Sequence, residues 1–180
     1  MIEATRRRKP ELVKLFCGLI APSHEVDRAQ ARLVEHLGPI DCESPLLEFT
    51  FTDYYREEMG ENLLRKWIAF EPLRARGYLA LAKHAAVSIE GDLASCGRRL
   101  ANLDPGYVDG AQVVLASAKN FSHRIYVGMG YYAEVTLIYE HGAFRSLAWT
   151  YPDYKTAEAL VFLNAARSAY QLQVKGRAGA

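Results

Sequence analysis

Hydrophobic and polar residues follow one another along this chain in short blocks, and the spacing within each block predicts its secondary structure. The block LVKLFCGLIA (12–21) is mostly apolar, which is typical of a strand at the centre of a sheet. In HEVDRAQARLVEHLG (24–38) apolar residues recur at helical spacing, so we expect a helix with Ser23 as its N-cap. In LLEFTFTDYY (46–55) apolar and polar residues alternate one by one, which predicts a second strand.

The middle of the chain has a different composition. Residues 57–95 are rich in Ala, Leu, Arg and Lys, which favours one or two helices with a break at Pro72 and Gly77. The stretch NLDPGYVDG (102–110) contains successive turn signals, of which Asp-Pro-Gly is the strongest, so we expect a loop there. AQVVLASAK (111–119) fits a short helix or a buried strand, because its periodicity does not distinguish the two.

The last part of the chain predicts a small antiparallel unit followed by a helix. Alternating segments up to Trp149 indicate a three-stranded meander, and a turn at TYPDY leads into a helix over residues 156–171. Together the elements predict an α+β fold in one domain (1–180), with a mixed or antiparallel sheet and helices packed mainly on one face. We expect the basic N-terminal arm (1–10) and the C-terminal tail (173–180) to be flexible.

Composition narrows the class of protein. The chain has 180 residues, of which 50% are hydrophobic and 24% charged, with a formal net charge of +1. This is an ordinary globular balance, without a net field that would favour nucleic acid or a membrane surface. The basic N-terminus precedes an apolar run, as in signal peptides, but that run contains Lys14 and has no clear cleavage motif. No apolar run approaches the ~20 residues of a membrane span, so we expect a cytoplasmic protein without a membrane partner.

The three cysteines do not indicate a disulfide framework or a zinc site. Cys17, Cys42 and Cys96 are odd in number, far apart, and form no C-x-x-C pair. Cys17 lies in LFCGLI and is most simply a small buried hydrophobic residue. We therefore expect structural thiols in a reducing compartment.

The stretch KNFSHRIYVGMGYYAE predicts a β-hairpin that brings charged and aromatic side chains together. A loop at Gly128-Met129-Gly130 places Arg124 opposite Glu134 and Tyr126 opposite Tyr132. Because side chains alternate between the faces of a strand, these four residues share one face of the hairpin. Opposed Cβ atoms lie about 5 Å apart, so we expect a cross-strand ion pair between Arg124 and Glu134.

An anion-binding site is one interpretation of this hairpin. Lys119 would contribute a point charge and Arg124 a bidentate fork for a phosphate-like group. Tyr126 and Tyr132 would contact the same small anionic ligand, a nucleotide or a phosphorylated metabolite. An ordinary surface ion pair beside two stacked rings is the competing interpretation, and it needs no ligand.

Three residues near the hairpin are candidates for chemistry. Asp104 and Glu134 are placed to accept a proton or to hold a divalent metal. His123 falls by parity on the apolar face of the hairpin, where a histidine hydrogen-bonded within the core is the commoner outcome. The chain has no phosphate-binding P-loop, no complete dinucleotide fingerprint and no nucleophile elbow. We therefore assign no reaction, cofactor, metal site or oligomeric state.

A non-enzymatic interaction module is the alternative function. Tyrosines on an open sheet face stack on RNA bases or pack against a protein partner. That function requires Tyr126, Tyr132 and either Tyr139 or Tyr154 to form one exposed patch surrounded by basic residues. The anion-binding function instead requires the charged residues near the hairpin to converge in a pocket.

Several segments in combination resemble one family of bacterial and archaeal proteins, domain-of-unknown-function family 4416. They run from about residue 14 to 155 and read KLFCGLI, FTDYYREEMG, NLDPGYV, LASAKNFSHRIYVGMGYYAEVTLIY and WTYPDYK. The resemblance implies a small cytoplasmic protein. It implies no activity and assigns no residue a role.

Overall fold

A computed structural model of the chain describes residues 11–178, which form an antiparallel sheet of nine strands with helices on both faces. The strands are β1 (Leu12–Pro22), β2 (Ile40–Glu43), β3 (Leu47–Glu48), β4 (Leu63–Ala75), β5 (Asn102–Val108), β6 (Gln112–Ser117), β7 (Ile125–Gly128), β8 (Tyr131–Glu140) and β9 (Ala143–Ser146). Their order across the sheet is β2-β4-β1-β5-β6-β8-β7, with β3 beside β4 and β9 beside β8. The helices are α1 (Ser23–Leu37), α2 (Arg56–Met59), α3 (Leu79–Leu93) and α4 (Ala157–Ala178).

Strand β1 is central and buried on both faces, as its apolar sequence predicts. Odd-numbered residues such as Leu15 and Leu19 join the core formed with α1 and α3. The even-numbered Phe16 faces the opposite core, where Phe162 and Leu163 of α4 pack. Two of the three long helices thus cover one face of the sheet, the third covers part of the other, and the predicted α+β class is confirmed.

The predicted helix over residues 24–38 is confirmed as α1, although Ser23 is its first residue and makes no capping hydrogen bond. Helix α4 begins where predicted but continues to Ala178, so the predicted tail is helical as far as the structure describes it. The predicted flexible arm lies outside the described residues. None of the described helices is both long enough and apolar enough to cross a membrane.

The first half of the predicted helical region is wrong, because residues 63–75 form strand β4. The composition of LLRKWIAF favours a helix, but pairing with β1 from Pro22 to Leu12 overrides that local preference. Pro72 is tolerated there because the register between the two strands shifts in that region. The second half of the prediction is correct, since α3 occupies residues 79–93.

The predicted strand over residues 46–55 is also wrong, because only Leu47 and Glu48 pair with β4. Strand β4 begins at Leu63, and Phe49 makes a last backbone hydrogen bond to Leu63. Beyond that point the alternating segment has no neighbouring strand to pair with, so it leaves the sheet as a loop. We call residues 49–55 the aromatic loop, after its four rings at Phe49, Phe51, Tyr54 and Tyr55.

The predicted loop over residues 102–110 is instead mostly strand β5. Asp-Pro-Gly lies inside the strand and pairs with β1, with Pro105 opposite Cys17. The turn follows at Asp109, whose Oδ1 accepts hydrogen bonds from the backbone N–H groups of two later residues. The ambiguous segment after it is strand β6.

The hairpin register is confirmed, with Ile125 opposite Ala133 and Tyr126 opposite Tyr132. The turn is tighter than predicted. Met129 and Gly130 form it with φ values of 56° and 81°, while Gly128 is part of a register shift and pairs with Tyr131. Strands β7, β8 and β9 follow one another as antiparallel neighbours, as predicted.

Candidate functional site

A cleft opens where β5 and β6 separate. Their pairing covers only Gly106–Val108, whereas β5 pairs with β1 from Asn102 onward. The unpaired start of β5 and the end of β6 line a cleft of about 520 Å³. Helix α3 borders it on one side of the sheet, and the aromatic loop and residues 151–154 border it on the other.

Helix α3 satisfies the backbone of β5 that β6 leaves unpaired. Glu90 accepts a hydrogen bond from the N–H of Leu103 at 2.6 Å, and Lys83 donates one to its carbonyl oxygen at 2.8 Å. Lys83 Nζ also lies 3.5 Å from a carboxylate oxygen of Asp104. Burial raises the pKa of Glu90, and the Lys83 charge opposes that rise. The charged groups of α3 thus take the place of a neighbouring strand as hydrogen-bond partners of the β5 backbone.

A buried arginine forms the floor of the cleft. Arg65 of β4 is 1% exposed, and its guanidinium carbon lies 4.8 Å from the ring centre of Trp67 and 5.2 Å from that of Tyr154. Asp153 Oδ2 is 2.9 Å from Nη2 of Arg65, which makes an ion pair. None of the three guanidinium nitrogens, however, donates a hydrogen bond of good geometry within the described residues. The Tyr154 hydroxyl is buried and unpartnered in the same way.

Gly18 of β1 makes room for this floor. A Cβ atom at Gly18 would lie 2.6 Å from Nη2 of Arg65 and 2.7 Å from the Tyr154 hydroxyl, closer than van der Waals contact allows. Burial raises the pKa of the neighbouring Asp153, and the positive charge of Arg65 opposes that rise. The cleft floor therefore combines a buried cation, a partly compensating acid and a phenol.

Arg124 organises the opposite wall, and every nitrogen of its guanidinium has an acceptor. Nε donates to Glu134 at 2.9 Å, and Nη1 donates to the Ser117 hydroxyl at 2.9 Å and the Lys119 carbonyl at 2.8 Å. Nη2 donates to the Tyr151 hydroxyl at 2.7 Å. The predicted ion pair with Glu134 is present. Because four of its five N–H donors are used, Arg124 does not offer the free bidentate fork that the sequence suggested.

His123 lies on the side of Glu134, so its predicted orientation toward the apolar face is wrong. It precedes the first residue of β7, where the alternation of a strand does not apply. Nε2 of His123 is 2.9 Å from Oε2 of Glu134, and the imidazole stacks on Trp149 with ring centres 4.8 Å apart. His123 therefore contacts Glu134 but does not line the cleft.

The mouth of the cleft is basic and aromatic. Lys119 is exposed, and its Nζ lies 3.1 Å from the Tyr54 hydroxyl and 4.9 Å from the centre of that ring. Within residues 11–178, no carboxylate pairs with this ammonium. Arg99 lies nearby, where it donates to Glu58 and its guanidinium carbon is 5.5 Å from the ring centre of Tyr55.

The structure brings together four of the seven residues singled out from the sequence. Those that line the cleft are Asp104, Lys119, Arg124 and Glu134. Tyr126 and Tyr132 do not line it, and their expected contact with the same ligand is corrected. The two rings contact each other on the hairpin, with centres 5.6 Å apart. Within residues 11–178, no three His, Cys, Asp or Glu side chains gather as a metal site would require.

The sequence analysis missed the floor of the cleft. Arg65 fell within a predicted helix, and Asp153 and Tyr154 fell within a predicted turn. The available signal was the single charge of Arg65 on the alternating face that it shares with Leu63 and Trp67, since an arginine on a buried apolar face of a strand needs a partner.

Comparison with known proteins identifies the family of the chain, and the function of that family is unknown. The sequence model of a family described as a domain of unknown function, DUF4416, matches residues 11–170. No curated protein and no solved structure matches the chain.

Proposed function

Because the chain belongs to the DUF4416 family, whose function is unknown, we propose a function from the cleft itself: it binds a small anionic ligand such as a nucleotide or a phosphorylated metabolite. The observation that supports this most is the floor, where the buried guanidinium of Arg65 makes an ion pair with Asp153 but donates no hydrogen bond to any described residue. The Tyr154 hydroxyl beside it is equally unpartnered.

Unsatisfied buried donors favour an anion at this position. A buried polar group without a partner costs about 1–3 kcal/mol, and more when it is charged. Such groups are rare in native proteins, and they are commonly satisfied by a water, an ion or a ligand. A phosphate or carboxylate oxygen in the cleft accepts from Arg65 and Tyr154 together, in the charge-assisted geometry that arginine favours.

The charges around the cleft favour the same ligand. Its cationic side chains outnumber its carboxylates by five to four: Arg65, Lys83, Arg99, Lys119 and Arg124 against Glu90, Asp104, Glu134 and Asp153. Lys119 is the cation without a carboxylate partner among the described residues, and it is exposed at the mouth. Lys119 is thus assigned to attract and contact the anion, while Arg124 positions the wall.

The alternative interaction surface has less support. Tyr126 is 60% exposed, but Tyr154 is 2% exposed and stands in the cleft floor. Tyr139 is partly buried under Arg167, whose guanidinium carbon is 3.4 Å from the ring centre. The tyrosines therefore do not form the contiguous exposed patch that RNA or a protein partner would need.

A cytoplasmic location belongs to the same proposal. Cys17, Cys42 and Cys96 are all free thiols, and Cys17 is fully buried. Unpaired cysteines are usual in reducing compartments. Nucleotides and phosphorylated metabolites are ligands of that setting.

We expect Lys119→Ala to weaken anion binding by about ten- to a hundredfold, because a hydrogen bond to a charged group contributes about 1.5–3 kcal/mol. The measurement is calorimetric titration of the folded chain with inorganic phosphate and the four ribonucleoside 5′-monophosphates, at constant ionic strength. Lys119 is exposed, so the substitution leaves the fold intact. Lys175→Ala is the matched control, since Lys175 is also exposed but lies in α4, outside the cleft lining.

Two results would contradict the proposal. One is a wild-type chain that binds none of these anions. The other is an equal loss of affinity in Lys119→Ala and Lys175→Ala, which would indicate nonspecific attraction to surface charge.

A further inference from the structure

We infer that the anionic ligand carries a planar aromatic ring, as a mononucleotide does, and that this ring stacks on the aromatic loop; the inference rests on the proposed function. The loop and the basic floor line one cleft, so a single small molecule contacts both. A volume of about 520 Å³ lies within the range of roughly 300–1,000 Å³ that small-molecule sites occupy.

The aromatic loop has an anchored half and an exposed half. Phe49 and Tyr55 are half-buried and pack on the small core cluster of Ile20, Met59 and Leu63. Phe51 is 43% exposed and Tyr54 is 61% exposed. Each exposed ring is fixed against an anchored one, Phe51 at 5.8 Å from Phe49 and Tyr54 at 5.1 Å from Tyr55, centre to centre.

Exposed rings held in place beside a cleft indicate stacking. Phe51 and Tyr54 both line the cleft, where an exposed apolar surface is of the kind that marks a binding site. Their support on anchored rings also lowers the entropy lost when a ligand stacks on them. A sugar phosphate would engage the charged floor but would leave Phe51 and Tyr54 without a contact.

The position of Lys119 links the ring to the anion. Its Nζ lies at the hydroxyl end of Tyr54, 3.1 Å from the hydroxyl oxygen and 4.9 Å from the ring centre, and Lys119 also lines the cleft. A planar ring on Tyr54 therefore has a positive charge beside it, and the buried charge of Arg65 lies in the same cleft. The ligand class that fits both features is a small molecule with a phosphate at one end and a planar ring at the other.

The test compares ligands that share the phosphate and differ in the ring. The probes are ribose 5-phosphate, phenyl phosphate and the four ribonucleoside 5′-monophosphates, titrated into the wild-type chain. We expect at least one probe with a ring to bind about tenfold more tightly than ribose 5-phosphate, because stacking on an aromatic side chain contributes that order of affinity. The double variant Phe51→Ala/Tyr54→Ala should remove the preference, so that ring-bearing probes and ribose 5-phosphate bind this variant with similar affinity.

Two further variants separate stacking from loss of bulk. Phe51→Tyr keeps the ring and should keep the preference. Tyr126→Ala removes a ring of similar exposure outside the cleft and should change nothing.

The outcomes distinguish this inference from the function on which it rests. Equal affinity for ribose 5-phosphate and all ring-bearing probes overturns the inference and leaves anion binding standing. A ring preference that survives in the double variant overturns the role of the aromatic loop. The absence of binding by every probe overturns both.

Discussion

Replacing Arg65 with methionine is expected to lower the free energy of unfolding by about 3–5 kcal/mol, as removal of one partner of a buried ion pair does. Methionine approximates the length of the arginine side chain but removes its charge. Asp153 then stays buried without the guanidinium that lies 2.9 Å from it. The contacts of the cation with the rings of Trp67 and Tyr154 are lost as well.

The destabilisation should depend on pH with a defined sign. Burial raises the pKa of Asp153 above its ordinary value of 3.8, so the folded chain holds this proton more tightly than the unfolded chain does. The stability that Asp153 contributes is therefore present at pH values below its ordinary pKa, and it is lost as pH rises through its raised pKa in the folded chain. Without Arg65, whose charge opposes the rise, the pKa of Asp153 climbs further and the loss extends to higher pH. The difference in free energy of unfolding between the wild type and Arg65→Met should be smaller in mildly acidic buffer than at neutral pH.

Urea unfolding at both pH values measures this effect. The matched control is Arg56→Met, because Arg56 is exposed on α2 and its carboxylate partners among residues 11–178, Asp53 and Glu61, are exposed as well. A surface pair of this kind contributes about 0–1 kcal/mol. Similar losses in the two variants would contradict the buried-charge account of Arg65, and so would a difference that shrinks as pH rises.

Substituting Gly106 with alanine should be the second large effect, a loss of about 1–3 kcal/mol from overpacking. A Cβ at Gly106 would lie 2.5 Å from the backbone oxygen of Val114 and 2.8 Å from the ring of Phe16. The oxygen belongs to β6, so it cannot move without disturbing the last pairing between β5 and β6. Gly106 lies at the point where strands β5 and β6 begin to separate.

Gly91→Ala provides the same chemical change in open space. No atom lies within 4 Å of a Cβ built at Gly91, which is exposed in α3. Alanine is favoured over glycine in a helix, so this variant should gain about 0.5–1 kcal/mol. Thermal and urea unfolding of both variants should therefore give changes of opposite sign, and equal signs would contradict the packing described at Gly106.

The parts of the fold that the sequence predicted are those that local periodicity determines. Strand β1 and helix α1 were predicted because their apolar spacing has one interpretation, and the hairpin register followed from alternation about the glycines. Strand β4 was missed because Ala, Leu, Lys and Arg favour a helix unless a neighbouring strand intervenes. Strand β5 was missed because Asp-Pro-Gly is a turn signal in isolation, and only its pairing with β1 makes it a strand.

The candidate site likewise has one part that could be predicted from the sequence and one part that could not. The Arg124–Glu134 pair was predictable, because its two residues lie opposite each other in one hairpin. The floor was not, since Arg65 and Asp153 are distant in sequence and meet only through the order of strands in the sheet. No local pattern indicates that Gly18 leaves space for both Arg65 and Tyr154.

The most direct test is whether an anion reaches the guanidinium of Arg65. Nuclear magnetic resonance of the ¹⁵N-labelled chain observes the Nε–Hε group of Arg65 during a titration with inorganic phosphate at constant ionic strength. Binding at the cleft floor predicts a saturable shift of that resonance, together with the amides of Ser117 and Lys119 at the mouth. An Arg65 resonance that stays unchanged while phosphate shifts only signals elsewhere, or none, would contradict it.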